Sequence, residues 1–145
     1  LALHNYHEAH RVFPAAYLAD TRHPERDPQT YDGPSGFAWA AMILPQLDQS
    51  PISNALRTEL PCWHSANQPV VGENLAVFLC PSASGPSGAM LVKDAAGTVL
   101  AEFGRSTYVA SAGQDEPWGY TEESYAHIAD GPLYRNSRVR AADVT

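Results

Sequence analysis

Three histidines at three-residue spacing are the side chains in this sequence best suited to bind a metal ion. They are His4, His7 and His10, within a helical pattern that precedes Pro14. On a helix this spacing confines the imidazoles to about one third of the surface, so that two of them could share an ion such as zinc. The same positions suit packing and hydrogen bonding beneath the segment that follows Pro14. We expect that structural role rather than a metal site.

Carboxylates gather between residues 115 and 130, around a group of aromatic residues. The acids are Asp115, Glu116, Glu122, Glu123 and Asp130, and the aromatics are Trp118, Tyr120 and Tyr125. Calcium requires oxygen ligands of this kind, but the spacing matches no regular calcium-binding loop. We expect solvated loop acids, with a calcium site at Asp115, Glu116 and Asp130 as the alternative. The aromatic rings could instead stack on sugars, which leaves glycan binding open.

Three of the nine basic residues lie within six positions near the end of the sequence. They are Arg135, Arg138 and Arg140. A charged sheet edge is the simple interpretation, since charge on an edge strand discourages unwanted strand pairing. The sharper interpretation is a subunit contact, in which these arginines meet the acidic 115–130 loop of a neighbouring copy and set its register.

The sequence contains no nucleophile, base and orienting residue at a spacing typical of an enzyme. Ser35 and Ser87 lie in Gly-Pro-Ser-Gly segments, which lack the Gly-x-Ser-x-Gly spacing and the strand-turn-helix setting of a nucleophile elbow. Both segments are predicted to be turns. We therefore do not expect an enzyme or a bound cofactor.

Composition narrows the class of protein. The 145 residues have 44% hydrophobic and only 17% charged residues, with 12 prolines and 10 glycines, which favours one domain rich in loops. A formal net charge of −7 argues against nucleic acid and anionic lipid as partners. No window approaches the roughly 18 apolar residues of a membrane-spanning helix.

The first half of the sequence predicts helices separated by a long loop. Residues 1–13 read as the end of a longer N-terminal helix, because no capping residue precedes Leu1 and Pro14 must end the helix. Residues 14–36 read as a loop. Residues 37–47 have helical spacing, with Pro45 kinking the helix or starting a second one, and a strand through 42–44 is the alternative. Pro51–Leu56 predicts another short helix, capped by Ser50.

The second half predicts an antiparallel sheet. Short apolar runs bounded by turn residues indicate strands at 74–80, 90–92, 98–103, 106–110 and 132–135, with a hairpin turn at 93–97 and an alternation of arginines at 138–140. The resulting fold class is α+β. We expect a single domain, 1–145, in which the N-terminal helix packs on one antiparallel sheet with long loops.

Four segments together resemble one known family. They are Leu3-His4-Asn5-Tyr6-His7 with Phe13-Pro14; Trp39 with Ile43-Leu44-Pro45 and Leu47; Phe78-Leu79-Cys80-Pro81-Ser82; and Gly131 to Arg140 running into Asp143-Val144-Thr145. In these residues the chain resembles the DUF1559 family of pilin-like secreted proteins. One difference is Ala83, where the family usually has an acidic residue. The resemblance implies a pilin-like fold whose first helix continues upstream into a prepilin-type apolar segment.

Export, which the resemblance implies, bears on the two cysteines. Only one intramolecular pairing exists, so a disulfide between Cys62 and Cys80 is expected, with two buried free thiols as the alternative. A zinc site is poorly supported, because neither cysteine lies in a Cys-x-x-Cys pair.

The resemblance also implies the function. We expect a structural subunit of an extracellular or envelope-associated filament that self-associates through the upstream helix, which would be its sole contact with the membrane. Without that helix the domain is expected to be a monomer. Further candidates for subunit contacts are Leu1, Leu3 and Tyr6 on the first helix. The alternative is a membrane-tethered extracellular module that binds a glycan or small solute.

Overall fold

A computed structural model describes residues 1–86, 88–93, 96–114 and 120–144 of the chain. It is a mixed structure of short helices and strands, which confirms the α+β class. In chain order the helices and strands are α1 (Ala2–His10), β1 (Tyr17–Ala19), β2 (Ser35–Ala38), α2 (Trp39–Met42), a 3-10 segment (Leu44–Leu47), α3 (Ser50–Ala55), α4 (Gln68–Val71), a 3-10 segment (Ala76–Phe78), β3 (Met90–Lys93), β4 (Val99–Phe103) and a 3-10 segment (Ala141–Asp143).

Among the described residues the strands form two separate antiparallel pairs rather than the single sheet that was predicted. β1 pairs with β2, and β3 pairs with β4. Within the described ranges, none of the helices is both long and apolar enough to cross a membrane.

Helix α1 ends at His10, a few residues before the predicted end next to Pro14. Arg11 takes a left-handed conformation, with φ of 64°, and its backbone N–H donates to the His7 carbonyl at 2.6 Å. Leu3 and Tyr6 pack against the core cluster of Ile43, Leu44 and Phe78. The first helix therefore lies on the short helical segments around residue 44.

Strands β1 and β2 lie within or at the end of the segment predicted to be a loop, 14–36. Tyr17 is the partner of Ala38, and Ala19 is the partner of Ser35, with an irregular register between them. A β-carbon at Gly33 would lie 2.2 Å from the Asp20 carbonyl oxygen, so this close approach of two chain segments requires glycine. Residues 20–34 are a loop as predicted, but the two strands were missed because each is only three or four residues long and its partner is distant in sequence.

The helical prediction for residues 37–56 is confirmed in most details from Trp39 onward, whereas Phe37 and Ala38 belong to β2. Helix α2 is followed by a 3-10 segment with Pro45 in its first turn, and α3 has Pro51 in its first turn. No strand forms at 42–44. The predicted cap is wrong: Gln49 occupies the capping position of α3, with no side-chain hydrogen bond, and Ser50 is already helical.

The second half contains fewer strands than predicted. The hairpin of β3 and β4 is confirmed, with Leu91 opposite Glu102 and Val92 opposite Ala101. The predicted strand at 74–80 is instead a 3-10 turn, Ala76–Phe78, in which Phe78 alone is buried. A short apolar run does not distinguish a buried strand from a helical turn. Either structure can place a single apolar side chain, here Phe78, in the core.

Residues 106–110 and 132–140 also lie outside regular strands. The second of these segments instead follows residues 13–17 in the opposite direction through single hydrogen bonds. The Phe13 N–H donates to the Val139 carbonyl at 2.8 Å, and the Ala16 N–H donates to the Tyr134 carbonyl at 3.0 Å. Since no strand forms there, Arg138 and Arg140 do not share the face of a sheet.

Candidate functional site

The β3–β4 hairpin presents the largest group of neighbouring exposed apolar side chains in the described chain. Met90, Leu91, Val92, Val99 and Leu100 each expose between 39% and 58% of their surface, and we call these five residues the hairpin surface. All four residues of β3 are exposed, so both faces of this strand meet solvent. Clustered apolar exposure of this kind is typical of protein–protein contacts.

The two outer edges of the hairpin differ. Along β4, the Glu102 N–H donates to Gln68 Oε1 at 2.9 Å, and the Gly104 N–H donates to the Val71 carbonyl at 2.7 Å. Helix α4 therefore satisfies the outer edge of β4. Strand β3 pairs with β4 alone among the strands that the structure describes, so its outer edge is the open one.

Arg135, a predicted subunit contact, is instead the centre of a buried cluster. Its Nη1 donates to Asp32 Oδ1 at 2.8 Å and to the Thr30 carbonyl at 2.5 Å, and its Nη2 donates to the Glu122 carbonyl. The guanidinium carbon lies 3.9 Å from the centre of the Tyr125 ring. Because the side chain is completely buried, the prediction of an intermolecular contact at Arg135 was wrong.

Two tyrosines in this cluster hold their protons tightly. The Tyr17 hydroxyl donates to Asp32 Oδ1 at 3.1 Å, and burial together with the Asp32 charge raises the pKa of Tyr17 strongly. Burial also raises the pKa of Tyr125. The cluster is therefore one fixed cation, one carboxylate and two neutral phenols, an arrangement that joins distant chain segments.

The other two arginines remain exposed. Arg140 pairs with Asp143 at 3.1 Å in the last 3-10 segment, and Arg138 faces solvent. Both can contact a neighbour, although not as a row on a sheet edge.

Each of the three histidines contacts another aromatic ring. The His7 Nε2 accepts a hydrogen bond from the Ala141 N–H at 3.1 Å, and the His7 ring lies 4.9 Å from the Phe13 ring. The His10 ring stacks on Tyr6 at 4.1 Å, and the His4 ring contacts Phe13 at its edge. Among the described residues, no three His, Cys, Asp or Glu side chains are grouped so as to hold a metal ion.

The predicted calcium candidates are only partly described. Asp115 and Glu116 lie outside the described residues, as does Trp118 of the aromatic group. Asp130 Oδ1 accepts a hydrogen bond from the Gln114 N–H at 2.8 Å. Glu123 pairs with Arg22 at 2.6 Å, which lowers the pKa of this carboxyl group.

The predicted disulfide is not formed, and both cysteines are free. Cys62 is buried behind Gly36, where an added β-carbon would lie 3.0 Å from its sulfur, and burial raises the pKa of its thiol to about 11. The Cys80 sulfur lies 3.1 Å from the Ser82 hydroxyl, which lowers the pKa of that thiol. Each sulfur is thus held in a different local environment.

The candidate contacts on α1 fall into two groups. Leu1 is 95% exposed and available to a neighbour. Leu3 and Tyr6 are partly buried against the core cluster, so their apolar surface is already largely used inside the domain.

Comparison with protein families gives one finding. The family model described as a protein of unknown function, DUF1559, matches residues 1–145. Comparison with curated proteins and with solved structures found no match.

Proposed function

Because the chain belongs to the DUF1559 family over residues 1–145, we propose that it is a structural subunit of a pilin-like assembly outside the cell or on its envelope. The observation that supports this proposal best is the hairpin surface, which combines exposed apolar side chains with an open strand edge. A second copy can add its own β3 to that edge and cover the apolar side chains. In this proposal Leu1 and Arg138 provide additional contacts.

The size of the hairpin surface sets how strong such a contact can be. Complete burial of a Val, Leu or Met side chain contributes about 1.5–3 kcal/mol, so finishing the burial of five half-exposed side chains contributes about 5 kcal/mol per copy. A symmetric pair gains about 10 kcal/mol, whereas association costs about 4–15 kcal/mol. For a cost of about 4–6 kcal/mol, at the low end of that range, the dissociation constant lies between tens of micromolar and about 1 mM.

A contact of this strength fits a subunit held in place by several weak interfaces. The isolated domain is then a monomer at micromolar concentration, and association requires the high local concentration that an assembly or a shared anchor provides. An upstream apolar helix of the prepilin type is our proposal for that anchor. The domain surface then sets how neighbouring copies meet.

Sedimentation equilibrium up to millimolar concentration tests the proposal in solution. We expect weak, reversible self-association that is abolished by Leu91→Lys together with Leu100→Lys, because both changes place charge on the hairpin surface. The matched control is Val109→Lys, at a residue that is 90% exposed outside this surface. It should leave association unchanged.

Electron microscopy of the native cell envelope tests the biological part of the proposal. Labelled subunits should lie in regular assemblies, and the Leu91→Lys, Leu100→Lys protein should be exported yet fail to assemble. A wild-type domain that stays monomeric at millimolar concentration, or normal assembly of the double variant, would contradict the proposed role of the hairpin surface.

A further inference from the structure

A cleft with mostly apolar walls lies between the β2–α2 region and β4. It is open to solvent on one side, has a volume of about 200 Å³ and is walled by large side chains that include Phe37, Leu44, Ile52 and Phe78. The space exists because small residues occupy one side: Gly36, Ala40 and Ala41 line the cleft where larger side chains would fill it. A closely packed interior rarely leaves a gap of this size.

The volume is sufficient for a small organic molecule. An engineered apolar cavity of about 150 Å³ stays free of water and binds benzene. The cleft here has a comparable volume but is open on one side, and the buried Cys62 thiol, which is uncharged at neutral pH, adds to its apolar wall. An apolar group of about six carbons therefore matches the interior.

The entrance to the cleft has three polar side chains, which define the chemistry of a ligand. They are Glu73, Arg105 and Ser106. The Ser106 hydroxyl is already used, because it donates to the Tyr108 carbonyl at 2.8 Å. Glu73 is exposed, so water screens its charge.

Arg105 is the group at the entrance that is positioned to bind an anion. It is half-buried, and its Nε donates to the Gly88 carbonyl at 2.5 Å, which fixes the direction of the guanidinium group. Within the described part of the chain the guanidinium has no ion pair, so its terminal nitrogens can donate to a ligand. A planar guanidinium binds a carboxylate through two parallel hydrogen bonds.

We propose that this cleft binds a small organic carboxylate, with an apolar tail of about six carbons inside the cleft and the carboxylate on Arg105. This site is separate from the hairpin surface, and it operates in the monomer. Failure of the assembly proposal therefore leaves it unaffected.

Hexanoate, hexanol and hexylamine are suitable probes, because each is an unbranched chain of six carbons and they differ in the head group. We would titrate the monomeric domain with each probe and measure binding by calorimetry and by amide NMR shifts. Hexanoate should bind about tenfold more tightly than hexanol, and hexylamine should bind most weakly of the three. Arg105→Gln should reduce the affinity for hexanoate to that for hexanol. Glu73→Gln should increase it, since that change removes a repelling charge.

Two further substitutions test whether the probes bind inside the cleft. Ala41→Phe, or the milder Ala41→Leu, fills the cleft and should abolish binding of all three probes while the domain stays folded. Arg22→Gln, which removes a surface arginine elsewhere, should leave binding unchanged.

Three results would overturn the proposal. They are equal affinity for all three probes, unchanged hexanoate binding in Arg105→Gln, and unchanged binding in a folded variant with the cleft filled. Absence of binding by every probe at millimolar concentration would likewise show that the cleft is a packing gap.

Discussion

Replacement of Arg135 by methionine tests whether the buried cluster holds the domain together. Methionine replaces the aliphatic part of the arginine side chain with an unbranched apolar chain and removes the guanidinium group. The change leaves the Asp32 carboxylate without its ion pair and the Glu122 carbonyl without this donor, while the Thr30 carbonyl keeps only the long bond from the Tyr125 hydroxyl at 3.5 Å. It also removes the cation that lies over the Tyr125 ring.

The expected loss of stability is large because the guanidinium is completely buried. Asp32 keeps about one fifth of its side chain exposed, so water partly solvates the carboxylate that remains unpaired. Removal of one partner from a buried ion pair costs about 3–5 kcal/mol. The Arg135 Nε, buried without a partner, already reduces what the native arrangement gains. We therefore expect a loss of about 3 kcal/mol, which lowers the melting temperature of a domain of this size by roughly 10 °C.

Urea unfolding followed by circular dichroism measures this loss. The matched control is Arg22→Met, whose ion pair with Glu123 is exposed and screened by water, so its loss should change the stability very little. Adding Asp32→Asn to Arg135→Met removes the unpaired charge and should recover about 1 kcal/mol or more. If Arg135→Met costs no more than the control, the guanidinium is solvated in solution and the reasoning from burial is wrong.

Two further predictions concern the cysteines. In the native protein without reductant, iodoacetamide should modify Cys80, whose pKa is lowered by the Ser82 hydroxyl, whereas Cys62 should react only after unfolding; mass spectrometry would contradict this if both resisted alkylation until a reductant was added. Burial raises the pKa of Cys62 from 9.0 to about 11, so the thiol loses its proton at lower pH in the unfolded chain than in the folded one. The contribution of this thiol to the free energy of unfolding is therefore complete below about pH 9 and is lost as the pH rises towards 11. Between about pH 8 and about pH 10 the urea midpoint of unfolding should therefore decrease less for Cys62→Ala than for the wild type. An equal decrease in both proteins would refute this source of alkaline instability.

Local patterns predicted the parts of the fold that depend on neighbouring residues. The hairpin of β3 and β4 was predicted because its two apolar runs are close in sequence and a turn separates them. Pro45 and Pro51 indicated the starts of helical segments, because proline fits the first turn of a helix. The exposure of the hairpin surface was not predictable, since a continuous apolar strand is more often buried.

Contacts between distant residues account for the errors. Arg135 binds Thr30 and Asp32, which are more than 100 positions earlier in the chain. The sequence around Arg135, Arg138 and Arg140 does not show which of the three is buried. Arg135 is buried because of partners that are distant in the chain, and no local pattern reveals them. The pairing of β1 with β2 is another example, since its short strands lie amid the prolines and aspartates of a predicted loop.

The hydrogen bonds between residues 13–19 and 134–139 also constrain the order in which the domain can be completed. Phe13 and Ala16 obtain their backbone acceptors from Val139 and Tyr134, and the Asn136 side chain both donates to and accepts from the Ala19 backbone. During synthesis β1 can pair with β2 early, but the Asn136 side chain that bonds the Ala19 backbone is made more than 100 residues later. Bringing such distant segments together carries the entropic cost of closing a long loop. A ribosome-bound chain stopped at residue 130 would therefore lack both these hydrogen bonds and the Arg135 cation that neutralises Asp32.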